Sequence, residues 1–357
     1  YMITNLNIRN FKSIKGLNLN CRRVNLFIGE PNTGKSNILE SIGILSFGYT
    51  SRLEDFVRYK NISNLFYFNE INKRIAIDYF IDKDSTIHEW DTTASNINFK
   101  HRILIEYNDK NIFDIHSIGD DFMNCNFKAH FDIKENRFLG SVYSYEPFVR
   151  YFRFRNIELD KVDNIYTLKP PNGNNITNII NSNNIVKEFV SNLLSEFNYK
   201  IILDELTGNI DFLAERNNVI SKIPFELLSD TLVKIILLFS AIETSKHHTI
   251  VLEEPEAHVF PFYNKFLAER IALYNTNQFF IATHNPTFLA NIIEQTPDEE
   301  LKVFVTYYDN YQTKVLELSG EKLLKAYKIF GTEIFGNLDK IVKNLDKIIE
   351  KEELEAN

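Results

Sequence analysis

The chain has 357 residues, 44% of them apolar, and its 40 basic and 48 acidic side chains leave a formal charge of −8. That length suits one large domain or two ordinary ones around a buried core. The acidic balance excludes a broad basic field for nucleic acid, so any such contact needs a local patch.

Two cysteines, Cys21 and Cys125, stand far apart without Cys/His clusters, which argues against a disulfide framework and a structural zinc site. With no basic-then-apolar leader and no run of about 18 apolar residues, the expectation is a cytoplasmic protein with no membrane partner. In chain order, residues 2–8 (MITNLNI) alternate apolar and polar and predict a first strand. The turn-like RNFKSIKG and a second alternating stretch, LNLN, follow. VNLFIG predicts a short buried strand ended by Gly29, and KSNILESIGILSFG has helical spacing at Ile38, Leu39, Ile42 and Leu45. From about 60 to 170, alternation in RIAIDYFID, RILIEYN and PFVRYFRFRNIEL predicts a β-rich region. Arg150, Arg153 and Arg155 in the last of these read as an amphipathic strand whose arginines pair with carboxylates, with nucleic-acid contact as the alternative.

LKPPNGNNITNIINSNN reads as turn and loop, and IVKEFVSNLLSEF as a helix. YKIILDELTGNIDFLAE reads as a hairpin turning at Thr207-Gly208-Asn209. SDTLVKIILLFSAIETS opens on an N-cap serine and is apolar nearly all round, which predicts a buried helix. Next come the strand HTIVLEE, the helix FYNKFLAERIALYN, the strand QFFIAT, a strand pair around LKVFVTYYDN and TKVLEL, and a final helix. In that segment Ile334, Leu338, Ile341, Leu345 and Ile348 recur at a 3–4 spacing, so it is expected to pack on its own domain, with a partner-binding helix as the alternative. The region from Ser36 to Ser229 has no sustained heptads, which excludes a long coiled-coil arm.

The sharpest chemistry lies at 29–36, where GEPNTGKS satisfies G-x-x-x-x-G-K-S directly after an apolar strand and opens a helix. Such a loop (Gly29, Glu30, Pro31, Asn32, Thr33, Gly34) wraps backbone N–H groups around phosphates, and the helix N-terminus adds partial positive charge. Lys35 is expected to bridge the β- and γ-phosphates and Ser36 to ligate Mg²⁺, so the implied ligand is ATP or GTP. Glu253 and Glu254 end a second apolar strand and Thr283-His284 a third. If the three strands are parallel neighbours, their ends converge at the carboxyl edge of the sheet. Glu253 would then hold the Mg²⁺ shell, Glu254 polarise the attacking water and His284 touch the γ-phosphate.

IRNFKSIKG at 8–16, FIGEPNTGKSN at 27–37, LLSDTL at 227–232, VLEEPEAHVFP at 251–261 and IATHNP at 281–286 together resemble the ABC-type ATPase heads of the SMC, RecF and OLD-like group. They are similar, in order, to that group's opening strand motif, Walker A including Asn37, signature motif, Walker B with D-loop, and switch histidine. The resemblance implies an α/β P-loop NTPase of ABC-ATPase type, a mixed sheet core with an additional antiparallel β region and a helical insertion. It implies a single domain over 1–357, with the core from 1–60 and 225–357 and the lateral insertion at about 60–225. It further implies an ATP- and Mg²⁺-dependent homodimer in which Ser229 of one protomer faces the γ-phosphate held by the other. The expected partners are DNA or RNA, or an effector protein encoded nearby, in defence or DNA maintenance.

Three departures from the family pattern stand out. Ser229-Asp230-Thr231 carries no glycine, so its side chains are expected to hold the partner's phosphate further off. No Gln occurs before residue 278, so the family's Q-loop glutamine must be replaced, with an Asn in RYKNISNLFYFN as candidate. After His284 this sequence has 73 residues (357 − 284), fewer than the roughly hundred of a separate nuclease domain, so a built-in nuclease is not expected. Two rival readings are a nucleotide-binding subunit of a membrane transporter, which the same departures and IRNFKSI oppose, and a scaffold that binds ATP without turning it over.

Overall fold

The computed structural model describes residues 2–82, 98–108, 112–118, 127–132, 137–142, 147–155, 157, 159, 166–203, 210–216 and 219–355. The chain opens with β1 (Met2–Phe11), β2 (Ile14–Asn20) and β3 (Val24–Gly29), then the loop and α1 (Lys35–Gly43). Next come β4 (Ile75–Asp82), β5 (Asn98–Asn108), β6 (Ile112–Ile118), β7 (Phe127–Asp132), β8 (Arg137–Val142) and β9 (Val149–Phe152). The next stretch holds α2 (Ile176–Ser182), α3 (Asn184–Ser195), β10 (Tyr199–Leu203), β11 (Ile210–Arg216) and β12 (Val219–Pro224). The last part is α4 (Asp230–Thr244), β13 (Thr249–Glu253), α5 (Pro261–Leu273), β14 (Gln278–Ala282), α6 (Pro286–Gln295), β15 (Leu301–Asp309), β16 (Gln312–Leu318), α7 (Gly320–Phe330) and α8 (Leu338–Glu355).

The site is built on a sheet ordered β16-β15-β3-β14-β13-β9. Within it β15, β3, β14, β13 and β9 run parallel, and only β16 is antiparallel, paired to β15. Parallel strands are covered on both faces, which is why VNLFIG and QFFIA are continuously apolar rather than alternating. Alternate residues of these strands feed two cores. Leu26, Ile28, Ile250, Leu252, Phe279 and Ile281 pack against the helices from α2 to α8. Phe27, Val251, Phe280 and Phe304 pack with Ile38, Leu39 and Ile42 of α1 and with Leu6 and Ile8 of β1. Helix α1 therefore lies between the core sheet and the antiparallel sheet β2-β1-β4-β5-β6-β7-β8. A third sheet, β10-β11-β12, is also antiparallel.

The sequence reading and the structure part at particular places. Among the described residues of PFVRYFRFRNIEL only 149–152 are a strand, and it is the buried edge of the parallel core sheet rather than part of the antiparallel region. The Asn-rich stretch read as loop holds α2, and PTFLANIIEQ forms α6 behind Pro286 at its first turn. Strand β12 adds to the expected hairpin, whose predicted turn at 207–209 lies outside the described residues, as does Cys125. Helix α8 buries Leu338, Ile341 and Leu345 on its own domain as expected, but its last buried residue is Ile349 rather than Ile348. Among the described residues no helix is long and apolar enough to cross a membrane.

Candidate functional site: a phosphate loop facing two glutamates and a histidine

The three predicted strand ends do converge. β3 pairs parallel with β14, and β14 with β13, so the Gly29 loop, Thr283-His284 and Glu253-Glu254 meet at one carboxyl edge. Gly34 has φ 102°, a left-handed backbone, and an added Cβ would fall within contact of Thr313 Oγ1. Thr33 Oγ1 donates to Glu30 O at 2.8 Å and lies 2.7 Å from Thr306 Oγ1, so the loop is tied to the end of β15. Asn37 Nδ2 donates to Ser13 Oγ at 2.7 Å, which fixes the β1–β2 turn beside the loop. Pro31 and Asn32, the latter at φ 62°, form the loop's outer turn.

Lys35 is buried, and its ammonium donates to Gly29 O and Glu30 O, each at 2.8 Å. Burial lowers its pKa to about 8, against the raising effect of Glu254, Glu253 and Glu30. Ser36 Oγ donates directly to Glu253 Oε1. A hydroxyl and a single carboxylate, both hard oxygen donors beside a phosphate loop, fit Mg²⁺, which takes few protein ligands when substrate phosphates supply others. Among the described residues no cluster of three or more His, Cys, Asp or Glu could hold a metal alone. Burial opposes the charge of Glu253, yet Ser36, Arg58, Arg153 and Arg155 together hold its carboxyl below the ordinary range.

Glu254 turns the other way. Its backbone adopts φ 48°, an uncommon left-handed position for a side-chain-bearing residue, fixed by its N–H donating to Ala282 O at 2.9 Å. Its carboxylate Oε1 lies 3.4 Å from His284 Nε2, and both side chains remain partly open to solvent. Burial and Lys35 lower the pKa of His284, with Glu254 opposing, so the ring is neutral near pH 7. The resulting cleft of about 330 Å³ is lined by Lys35, Ser36, Arg58, Glu253, Glu254 and His284.

Ser229 caps α4, accepting from Leu232 N at 3.4 Å, and is exposed, away from this cleft's lining. Asp230 is exposed in the first turn. The Thr231 hydroxyl donates to His258 O at 2.7 Å and ties α4 to the loop after β13.

Sequence reasoning missed four side chains. Arg58 Nε donates to the fully buried Glu40 at 2.6 Å, and its Nη2 reaches Glu253 Oε1 at 3.4 Å. The stretch RYKNISNLFYFN thus contributes its arginine at this position, while Asn61 and Asn64 are spent on a local capping box. Glu40 also holds Lys12 and Arg153. Tyr151 hydroxyl lies 3.4 Å from Glu253 Oε2. Glu256 is buried, accepts from Thr283 Oγ1 at 2.7 Å and His284 N at 3.0 Å, and has its second oxygen without a partner. Its burial raises its pKa. Of the three arginines expected to meet carboxylates, Arg153 does, whereas buried Arg150 bonds the neutral Thr244 O, Ser245 Oγ and Tyr49 hydroxyl.

Solved structures share this fold. The chain superposes over 90% of its length, and 100% of the other's, on an SMC head bound to the C-winged helix domain of ScpA, with TM-score 0.58 and 16% identity. The fold is that of the SMC head domains. An Smc head with an extended coiled coil, bound to the C-terminal domain of ScpA derived from Pyrococcus furiosus, matches this head fold over 92% of the chain and 98% of its own, with TM-score 0.53 and 14% identity. Residues 127–290 match a family model described as "AAA domain, putative AbiEii toxin, Type IV TA system". In sequence the chain is 38% identical over 89 residues to the DNA replication and repair protein RecF of Clostridioides difficile (strain 630), a match spanning 23% of this chain and 24% of that relative.

Proposed function

We propose that this chain binds Mg·ATP at Gly29–Asn37, hydrolyses it, and uses the nucleotide as a dimerisation switch that acts on a nucleic-acid or effector partner. The observation that carries this is the Ser36–Glu253 hydrogen bond beside Lys35, with the Glu254–His284 pair on the adjacent strand ends. Residues 1–357 act as one ATPase unit, with the stretch of about 60–225 as the lateral insertion that sends β9 into the core sheet.

In this reading the loop amides, Lys35 and Asn37 hold the triphosphate, and Ser36 and Glu253 hold Mg²⁺. A metal ion held there would supply charge neutralisation for the phosphates. Glu254 orients a water and accepts its proton as the water oxygen bonds to the γ-phosphorus. The bond from that phosphorus to the β–γ bridging oxygen breaks, and its electron pair leaves with ADP. His284, neutral and 3.4 Å from Glu254, donates to the transferring group. Ser229, exposed at the N-terminus of α4, serves the γ-phosphate of a partner protomer.

The RecF relative and the matched family model, with its AbiEii toxin and Type IV TA system, support a DNA-maintenance or defence setting. The two heads solved with ScpA domains support a protein partner. Phosphate release from ATP with Mg²⁺ tests the reading: the wild type should turn over, Lys35→Ala should lose binding and turnover, and Glu254→Gln should lose turnover while keeping binding. Turnover that survives both substitutions contradicts it.

A further inference from the structure

Beside the nucleotide cleft lies a second cavity of about 420 Å³, which shares Ser36, Arg58, Glu253 and Glu254 with it as a common wall. Its far wall is cationic. Lys234, half-buried one turn into α4, has no hydrogen-bond or ion-pair partner among the described residues, and Glu254 and Glu256 act on it only at longer range. Arg155, exposed and also on this wall, has no side-chain hydrogen-bond or ion-pair partner among the described residues and acts on Glu253 only at longer range. Arg153 gives Nη2 to Glu40, but its Nε is buried without an acceptor. The two carboxylates on the shared wall are already engaged, Glu253 by Ser36 and Arg58, Glu254 by His284.

A half-buried cation without a partner is costly, and Lys234, with the exposed Arg155 and the Glu40-paired Arg153 on the same wall, gives the cavity a demand for an anion. A planar guanidinium pair and an ammonium suit a tetrahedral oxyanion, which accepts several charge-assisted hydrogen bonds at once. We propose that this cavity binds a free phosphate-class oxyanion, in the first place orthophosphate, beside the γ-phosphate position rather than in it. The source follows from position. Orthophosphate cleaved in the adjoining cleft crosses the shared wall at Glu253 and Glu254 and meets the three cations before reaching solvent. That source rests on the ATPase reading, whereas the anion site itself does not.

The test uses the full chain with Mg·ADP and beryllium fluoride filling the γ-phosphate position, titrated with orthophosphate by calorimetry. The wild type should bind one orthophosphate. Lys234→Met and Arg155→Ala should each weaken it by about tenfold, the loss of one charge-assisted contact, with beryllium fluoride binding retained as the check on folding. Orthophosphate should also raise the melting temperature of the wild type and not that of Lys234→Met. An adventitious ion only, seen as no binding or as binding that both substitutions leave unchanged, overturns the proposal. So does displacement of orthophosphate by a single-stranded oligonucleotide without terminal phosphates, which would assign the cations to a nucleic-acid backbone. If orthophosphate binds through Lys234 and Arg155 but the wild type never hydrolyses ATP, the anion site stands and the ATPase reading fails.

Discussion

Glu256→Ala is the most informative substitution outside the residues placed at the phosphates. The Glu256 carboxylate touches no phosphate position but accepts from Thr283 Oγ1 at 2.7 Å and from His284 N at 3.0 Å, both at the end of β14. Thr283 is fully buried and Glu256 nearly so, so removing the acceptor leaves two donors unpaired where water has little access. Each such donor costs about 1–3 kcal/mol, giving about 2–6 kcal/mol if neither finds a new partner. The strand end can escape part of that cost by moving, which displaces His284. If about 1.4–2.8 kcal/mol of the loss is expressed in the transition state, kcat falls by about tenfold to a hundredfold. Because Lys35 and Ser36 are untouched, the Kd for ATP should hold. Glu256→Gln retains a carbonyl oxygen for both donors and should restore kcat to within about threefold. In a double-mutant cycle with His284→Ala the two losses should be strongly non-additive, since Glu256 acts through the histidine. Steady-state phosphate release with a fluorescent-nucleotide Kd measures all four variants. A kcat unchanged in Glu256→Ala, or additive losses with His284→Ala, would refute the argument.

Lys35 has a pKa of about 8 in the empty loop, below the ordinary lysine value, and triphosphate oxygens placed against it raise that value. Between the two values the empty site has lost a proton that the complex holds, so binding takes one up, and affinity is flat below pH 7 and falls as pH rises through 8. Calorimetry at about pH 8.5 in buffers of different ionisation enthalpy should show proton uptake. Arg58→Ala removes a cation 3.4 Å from Glu253 and should lower the Mg²⁺ concentration needed for half-maximal ATP binding by about threefold, read by magnesium titration. Gly34→Ala should abolish nucleotide binding, because φ 102° disfavours any side chain and Thr313 occupies the space; a filter-binding assay decides it.

The parts of the site legible in the sequence were those whose chemistry is local. VNLFIG-EPNTGKS-NILESI specifies strand, loop and helix by contiguous residues, and the condition under which Glu253, Glu254 and Thr283-His284 meet, three parallel neighbouring strands, suits continuously apolar strands and is the pairing found. What stayed hidden depends on distant partners. FVRYFRFRN interleaves aromatic and arginine residues as an amphipathic strand would, yet Arg150 in β9 is buried because Thr244 O and Ser245 at the end of α4 receive its guanidinium. Helix α2 is masked by asparagines, whose intrinsic preference is for turns, and is held by Ile176, Ile179 and Ile180 in the helical core. Arg58 carries no motif of its own. Its place is set by Glu40 on α1, a carboxylate that looks like a solvated helix residue until three cations close over it. Glu256 lies only two residues beyond Glu254 within EEPEAH, but its role is visible only once β14 is seen to end against it.

The central claim, that nucleotide joins two heads and Glu254 releases them, is tested most directly by the solution mass of Glu254→Gln from light scattering with and without Mg·ATP. The account predicts a mass that doubles with Mg·ATP, persists because hydrolysis is blocked, and returns to that of one chain when Ser229→Arg is added to the same protein. A Glu254→Gln protein that binds Mg·ATP and keeps the mass of a single chain would contradict it.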